Sequence, residues 1–404
     1  MTRLSKIHPY PAMIADHLAV NLASKYVSRS SRVLDPFCGT GRTLLAAAEQ
    51  GAYCVGIDVN PLASMIVNAK ASNVKLTRIN NLLHSVGKIA TKKNATVVFD
   101  FESNRIVSWF SSKIKKELSS LIIWINNEDL NRSEMVLVSS VLSATVRDVS
   151  YCRKDQWKLH RMNEKDRDNF YKSPILTFKN RLQNVYDELC NAPQLKGNCY
   201  SILGDAKNLS HVLRMHNEIE KFDLVITSPP YGDSKTTVQY GAMSGLSLGV
   251  LRHLKNISIP VTEGYHIDKA CLGADSSRSD SKRLIIKKYW QGGTENPAYY
   301  RVNSFLSDLG NCCMEINSVV KRRCRVVFVV ARRSTGGWRV YLDNFLIDTM
   351  RRNNFSLEQY TKRNIDNKLT PFLISRLGKK TSKSSKKDHI KTMRSEYILV
   401  FKRS

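Results

Sequence analysis

Acidic residues are scarce in this chain. Its 404 residues carry 35 aspartates and glutamates against 63 lysines and arginines, a formal net charge of +28, and the sequence pI is about 9.8. That excess is far beyond what solubility needs and points to a polyanionic partner. Ordered cysteine patterns are missing as well. The nine cysteines fall at irregular spacing with no CxxC pair and no Cys/His set of zinc-site spacing, which argues against a disulfide framework and against a structural metal. A reduced, cytoplasmic protein with no bound metal is expected. The N-terminal stretch "MTRLSKIHPYPAMIADHL" has no apolar core of signal-peptide length, and no apolar run elsewhere approaches a membrane span, so neither secretion nor membrane insertion is expected.

What is present is an α/β rhythm. With 42% apolar residues the chain can bury a large core, as two or three structural units or as one domain carrying insertions. The segment 32–50, "RVLDPFCGTGRTLLAAAEQ", reads as a short buried strand, a glycine turn at Gly39 and Gly41, and a helix of good helix formers. The next strand, within 52–61, ends at Asp58, where an acid after an apolar run can bind a ribose diol. Continuous apolar runs follow in "CYSILGDA" (199–206), "FDLVITS" (222–228) and "CRVVFVVAR" (324–332), as parallel strands covered on both faces require. A helix and a short strand follow from Tyr341, and "SEYILVFKRS" closes the chain as a β segment. Two stretches break the rhythm. Residues 75–198 include the helical pattern "SSKIKKELSSLIIWINN" and are too long for a connection, which marks an inserted, mainly helical unit; 234–290 marks a second insertion. The catalytic domain is then expected in two parts, 1–74 and 199–404.

The motifs "DPFCGTG" after the first strand, an acid ending the next, "GDA" ending a third and "TSPPY" ending a fourth resemble the S-adenosylmethionine-dependent amino-methyltransferases of DNA. The SPPY form is similar to their cytosine-N4 branch, although here the cofactor half precedes the catalytic half, whereas many cytosine-N4 enzymes are permuted the other way. The resemblance covers 1–70 and 199–404 and implies a Rossmann-like methyltransferase fold: a mostly parallel twisted sheet with helices on both faces. It implies S-adenosylmethionine as cofactor, with the methionine moiety over Phe37, Gly39 and Gly41, Asp35 near its amino group, Asp58 on the ribose, Asp205 on the adenine amine, and "HPYPAM", with His8 and Tyr10, closing the pocket. His8 reads equally well as a surface histidine.

The resemblance places catalysis at Ser228, Pro229, Pro230 and Tyr231. An exocyclic amine is a poor nucleophile because its lone pair is delocalised into the ring, so two acceptors must draw its N–H bonds out of plane. The Ser228 hydroxyl and the Pro229 carbonyl fit that need, since consecutive prolines fix φ and hold the carbonyl rigidly. Tyr231 would stack on a base flipped out of the duplex. The implied partner is double-stranded DNA, with a cognate restriction endonuclease acting on the same site without a stable complex. An adenine-N6 enzyme would normally carry aspartate at 228 and an RNA guanine-N2 enzyme aspartate or asparagine; both stay open as alternatives. A cytosine-C5 enzyme attacks through a Pro-Cys thiolate, and the chain has no Pro-Cys. The basic, ring-containing stretches "YCRKDQWKLHR" and "SKRLIIKKYW", with Arg153, Lys154, Lys158 and Arg283, are expected to contact DNA.

Overall fold

The computed structural model describes residues 3–11, 13–89, 107–153, 159–233, 239–257, 264–274, 286–365, 373–375, 389–391 and 395–404. Strands form where β-branched and aromatic residues run together: β1 (Arg32–Asp35), β2 (Tyr53–Asp58), β3 (Cys199–Leu203), β4 (Phe222–Thr227), β5 (Val320–Ala331), β6 (Arg333–Thr335), β7 (Trp338–Val340), β8 (Phe355–Asn364), β9 (Leu373–Ser375), β10 (His389–Lys391) and β11 (Ser395–Arg403). Helices are α1 (Asp16–Tyr26), α2 (Arg42–Glu49), α3 (Pro61–Ala71), α4 (Leu76–Val86), α5 (Ser112–Asn127), α6 (Arg132–Val149), α7 (Glu164–Asp168), α8 (Pro174–Asn191), α9 (Leu209–Met215), α10 (Tyr240–Leu251), α11 (Gly264–Ala270), α12 (Tyr299–Val319) and α13 (Leu342–Arg352).

Seven strands make one sheet in the order β3-β2-β1-β4-β5-β11-β8. The pairs β2–β3, β1–β4 and β4–β5 are parallel, and β11 runs antiparallel to both β5 and β8. This is the mostly parallel, Rossmann-like sheet that the motifs implied. The chain lays β1, β2 and β3 outward in one direction and then returns to place β4 and β5 on the other side of β1. The switch point therefore falls between β1 and β4, and open α/β sheets bind their ligands beyond the carboxyl ends of the strands at such a point.

The chain divides into two compact units. The first comprises Met1–Ser30, Cys38–Leu203 and Val238–Asp268. Its core is helical: α4 and α5 turn Ile79, Leu82, Ile114, Leu118, Leu121 and Ile125 inward, each contributing about 1.5–3 kcal/mol on burial. Capping starts these helices on time, with Ser111 before α5, a reciprocal Asn131/Glu134 capping box on α6, and Ser173 before the N-terminal proline of α8. Helix α6 is buried almost all round and carries Ser139, Ser140, Ser143 and Thr145 without solvent exposure. The Ser140 and Thr145 hydroxyls donate to the carbonyls of Val136 and Val141 one turn back, so these two donors are not lost, whereas Ser139 Oγ has no hydrogen-bond partner among the described residues. Helix α10 belongs to this core, with Leu246, Leu248, Val250 and Leu251 buried; that part of the expected second insertion is interior.

The second unit comprises Ser31–Phe37, Gly204–Thr237 and Lys269–Ser404. Its strands are β1, β4, β5, β11 and β8, and α13 packs on β5, β8 and β11 with Leu342, Phe345, Leu346 and Met350 buried. Helix α12 packs on α9 and α13. Arg332, just past β5, pairs bidentately with the fully buried Asp343 of α13 and lies over the rings of Tyr341 and Tyr397.

Candidate functional site

In the second unit the carboxyl ends of β1 and β4 are tied together. Thr227, which is unexposed, donates its hydroxyl to Asp35 Oδ1 at 2.6 Å, and the Phe37 amide donates to the same oxygen at 3.1 Å. Asp35 is only 2% exposed. The carboxylate therefore fixes both the start of the glycine loop and the last residue before Ser228, and a buried anion stays tolerable because it is hydrogen-bonded. At the opposite ends of the same strands the Arg32 amide donates to Asp223, so the pair is pinned at both ends.

Ser228 to Tyr231 follow at once. Pro229 is buried, while Ser228, Pro230 and Tyr231 are half-buried. The Ser228 and Tyr231 hydroxyl oxygens are 3.2 Å apart, and the Tyr231 hydroxyl donates to Glu396 Oε1 at 3.3 Å. The other oxygen of Glu396 pairs with Arg363 at 3.6 Å. Asp205 ends the β3 segment and caps the helical turn beginning at Ala206: its Oδ1 accepts from the Lys207 amide at 2.9 Å, and the Lys207 ammonium lies 3.4 Å from its Oδ2.

In the first unit the glycine loop is built on two left-handed residues, Gly39 at φ +49° and Gly41 at φ +75°. They are glycines for different reasons. A Cβ on Gly41 would meet Val67 of α3 at 2.9 Å, so this position serves packing, whereas a Cβ on Gly39 would meet nothing within 4 Å, so the loop is open there. Asp58 at the end of β2 holds the loop: its Oδ2 accepts from the Gly39 amide at 2.9 Å and its Oδ1 from the Asn60 amide at 2.8 Å. The Lys70 ammonium, 1% exposed, donates to the Thr40 carbonyl at 3.0 Å, and burial with the nearby Arg42 pushes its pKa down to about 8.

The N-terminal segment joins this unit through Asn60. The Asn60 side chain caps α3 by accepting from the Leu62 amide, and its amide nitrogen donates to the Tyr10 hydroxyl at 2.9 Å and to Ser244 of α10 at 2.8 Å. Tyr10 stacks on Tyr240, with centroids 5.8 Å apart and planes 24° apart. His8 is interior, at 5% exposure, which removes the surface reading. Its Nδ1 lies 2.8 Å from the Pro9 carbonyl oxygen and its Nε2 2.9 Å from Ser143 Oγ. A carbonyl can only accept, so Nδ1 carries the proton and Nε2 accepts from Ser143. Burial, with Arg181, Arg147 and Lys70 nearby, lowers its pKa to about 3, and the ring is neutral.

Arg153 is exposed and its amide donates to the His160 carbonyl, beside the antiparallel bridge Cys152–Arg161 that closes this loop. Lys154, Lys158 and Arg283 lie outside the described residues. The sequence reading missed Asn60, Lys70, Thr227 and Glu396. Asn60 was findable, because an asparagine immediately before a proline is a helix-start signal. The other three owe their roles to partners brought together by folding.

A family model described as DNA methylase matches residues 3–68. The Type II methyltransferase M.MvaI of Kocuria varians is 28% identical over 430 aligned residues, covering 98% of this chain and 90% of that protein. The Type II methyltransferase M.BsoBI of Geobacillus stearothermophilus is 23% identical, covering 79% of this chain and 72% of that one. Together these matches support a DNA methyltransferase. The fold and the matched family imply S-adenosylmethionine as cofactor, and the residues of the first unit fit it: the loop is open at Gly39, and Asp58 ends β2, where a ribose diol needs an acceptor. Among the described residues no helix is long and apolar enough to cross a membrane.

Proposed function

We propose that the protein methylates the exocyclic N4 amine of cytosine in double-stranded DNA, as the modification enzyme of a restriction–modification system. The observation that carries this reading is the neutral hydroxyl of Ser228 immediately after β4 at the switch point, hydrogen-bonded to Tyr231, where an adenine-N6 enzyme would normally carry aspartate. The designation of its relatives as Type II methyltransferases supports the modification role.

S-adenosylmethionine, when bound, supplies an electrophilic methyl group on a positively charged sulfur. Gly39 and Gly41 are assigned to its methionine moiety with Phe37 and Asp35, Asp58 to its ribose and Asp205 to its adenine amine. Tyr10 belongs to the segment that covers it, and His8 fixes that segment against α6. The protein's own task is to present the amine. Ser228 Oγ and the Pro229 carbonyl accept its two N–H bonds, which pyramidalises the nitrogen and frees its lone pair. The Tyr231 ring receives the flipped base, and stacking returns about 1–3 kcal/mol of the unstacking cost.

The test separates the two halves of the assignment. Ser228→Ala and Tyr231→Ala should each lose turnover corresponding to about 2–4 kcal/mol of transition-state stabilisation, the scale of one preorganised partner, with cofactor affinity retained. Asp58→Ala should weaken cofactor binding first. Turnover within a few-fold of wild type in the Ser228 variant would remove that residue from the chemistry.

A further inference from the structure

Glu396 lies where an acid can act on the site. Strand β11 runs antiparallel to β5, so its first residues stand at the carboxyl ends of the parallel strands, and Glu396 is registered opposite Ala331, the last residue of β5. A parallel strand in that place would bring its own carboxyl end to the face instead. Across β11's other edge Glu396 is registered opposite Arg363 of β8, and their side chains, 14% and 18% exposed, pair through Oε2. The remaining oxygen, Oε1, accepts from Tyr231.

Proton counting then sets a direction. A carboxylate has no hydrogen to give, and a tyrosine hydroxyl has one. With that hydrogen on Glu396, the Tyr231 oxygen can only accept from Ser228, and the Ser228 hydrogen is turned away from the substrate. Its lone pairs are left to accept an N–H. We propose that Glu396 is a positioning residue for methyl transfer: through Tyr231 it fixes the direction of the Ser228–Tyr231 hydrogen bond and so holds Ser228 as an acceptor for the target amine. The inference rests on the assignment of Ser228 given above, and adds that its hydrogen-bond direction is imposed from β11.

Glu396→Gln tests it with almost no change of shape, because an amide nitrogen facing Tyr231 can donate and reverse the chain. The assay uses labelled S-adenosylmethionine with unmethylated duplex DNA of mixed sequence, alongside thermal unfolding and cofactor titration. We expect kcat to fall about tenfold or more, short of the hundredfold or greater loss of a direct partner, with KM for DNA and cofactor affinity within about threefold of wild type. Tyr231→Phe, which keeps the ring and removes the directing hydroxyl, should lose a similar factor. Glu396→Gln added to Tyr231→Phe should cause no further loss, because the carboxylate acts only through that hydroxyl. Full kcat in either single variant, or the same additional loss from Glu396→Gln in both backgrounds, overturns the proposal. Should Ser228→Ala retain turnover, the catalytic assignment falls and this inference with it; should Ser228→Ala be inactive while Glu396→Gln is fully active, only the inference falls.

Discussion

At neutral pH His8 is uncharged because burial opposes the imidazolium and three cationic side chains lie near it, and this makes it a source of acid sensitivity. The unfolded chain takes up a proton there near pH 6.5, while the folded protein refuses it until about pH 3. The pKa of the folded state is depressed, so below 6.5 the unfolded state binds more protons and stability falls with pH; the contribution is intact above pH 6.5 and declines between about 6.5 and 3. His8→Asn keeps a donor for the Pro9 carbonyl and cannot be protonated. Denaturant titrations at several pH values should show the variant less stable than wild type at pH 8, with the gap narrowing by up to about 1.4 kcal/mol per pH unit through that window. Parallel curves would contradict the buried, neutral assignment. Lys70 shows why such residues are hard to read from sequence. It sits in a run that reads as an ordinary helix, "LASMIVNAKA", and only folding brings its ammonium to the Thr40 carbonyl. Thr227 and Glu396 are similar cases, meeting partners 192 and 165 residues away.

Among the elements, strands β1, β2 and β4 and the last six residues of β5 were legible because they are buried on both faces, which makes them continuous apolar runs instead of alternating ones. Helices α10 and α12 were not. Helix α12 is 21 residues long, yet Gly310, paired cysteines and scattered polar residues blur its period. Helix α10 is rich in glycine, a poor helix former, and forms because the backbone of Gly264 lies directly against it. Here tertiary contact overrides propensity. The hairpin β6–β7 turns on Gly336-Gly337, a recognisable dipeptide whose flanking strands of three residues are too short to show alternation. Gly241 of α10 and Gly310 of α12 give opposite expectations. A Cβ on Gly241 would stand 1.7 Å from the Gly264 carbonyl oxygen, so Gly241→Ala must push two backbones apart and should cost about 2 kcal/mol or more. A Cβ on Gly310 would meet only Phe345, at an ordinary 3.6 Å, so Gly310→Ala should be neutral or stabilising by up to about 1 kcal/mol. Chemical denaturation of both variants checks the pair, and a harmless Gly241→Ala would contradict the close packing of α10.

For the molecule as a whole the governing quantity is its charge of +28. Sequence-independent attraction to DNA phosphates should therefore be strong and should weaken steeply as salt displaces it. The exposed Arg153, with Lys154 and Lys158 beside it in sequence, is the proposed contact. Replacing all three with alanine should weaken binding on every DNA sequence and reduce the slope of log affinity against log salt by up to about 0.9 per lost phosphate contact, with cofactor binding unchanged. An unaltered slope between about 50 and 200 mM salt would move the DNA path elsewhere, first to the lysine-rich stretch 379–391. The most direct test is of the product. The protein is incubated with methyl-labelled S-adenosylmethionine and a mixture of duplex DNA and RNA, each polymer is digested to nucleosides, and the label is located. We expect it in N4-methyldeoxycytidine from the DNA; label in N6-methyldeoxyadenosine or in a methylated guanosine from the RNA would contradict the assignment of Ser228 as the acceptor for a cytosine amine.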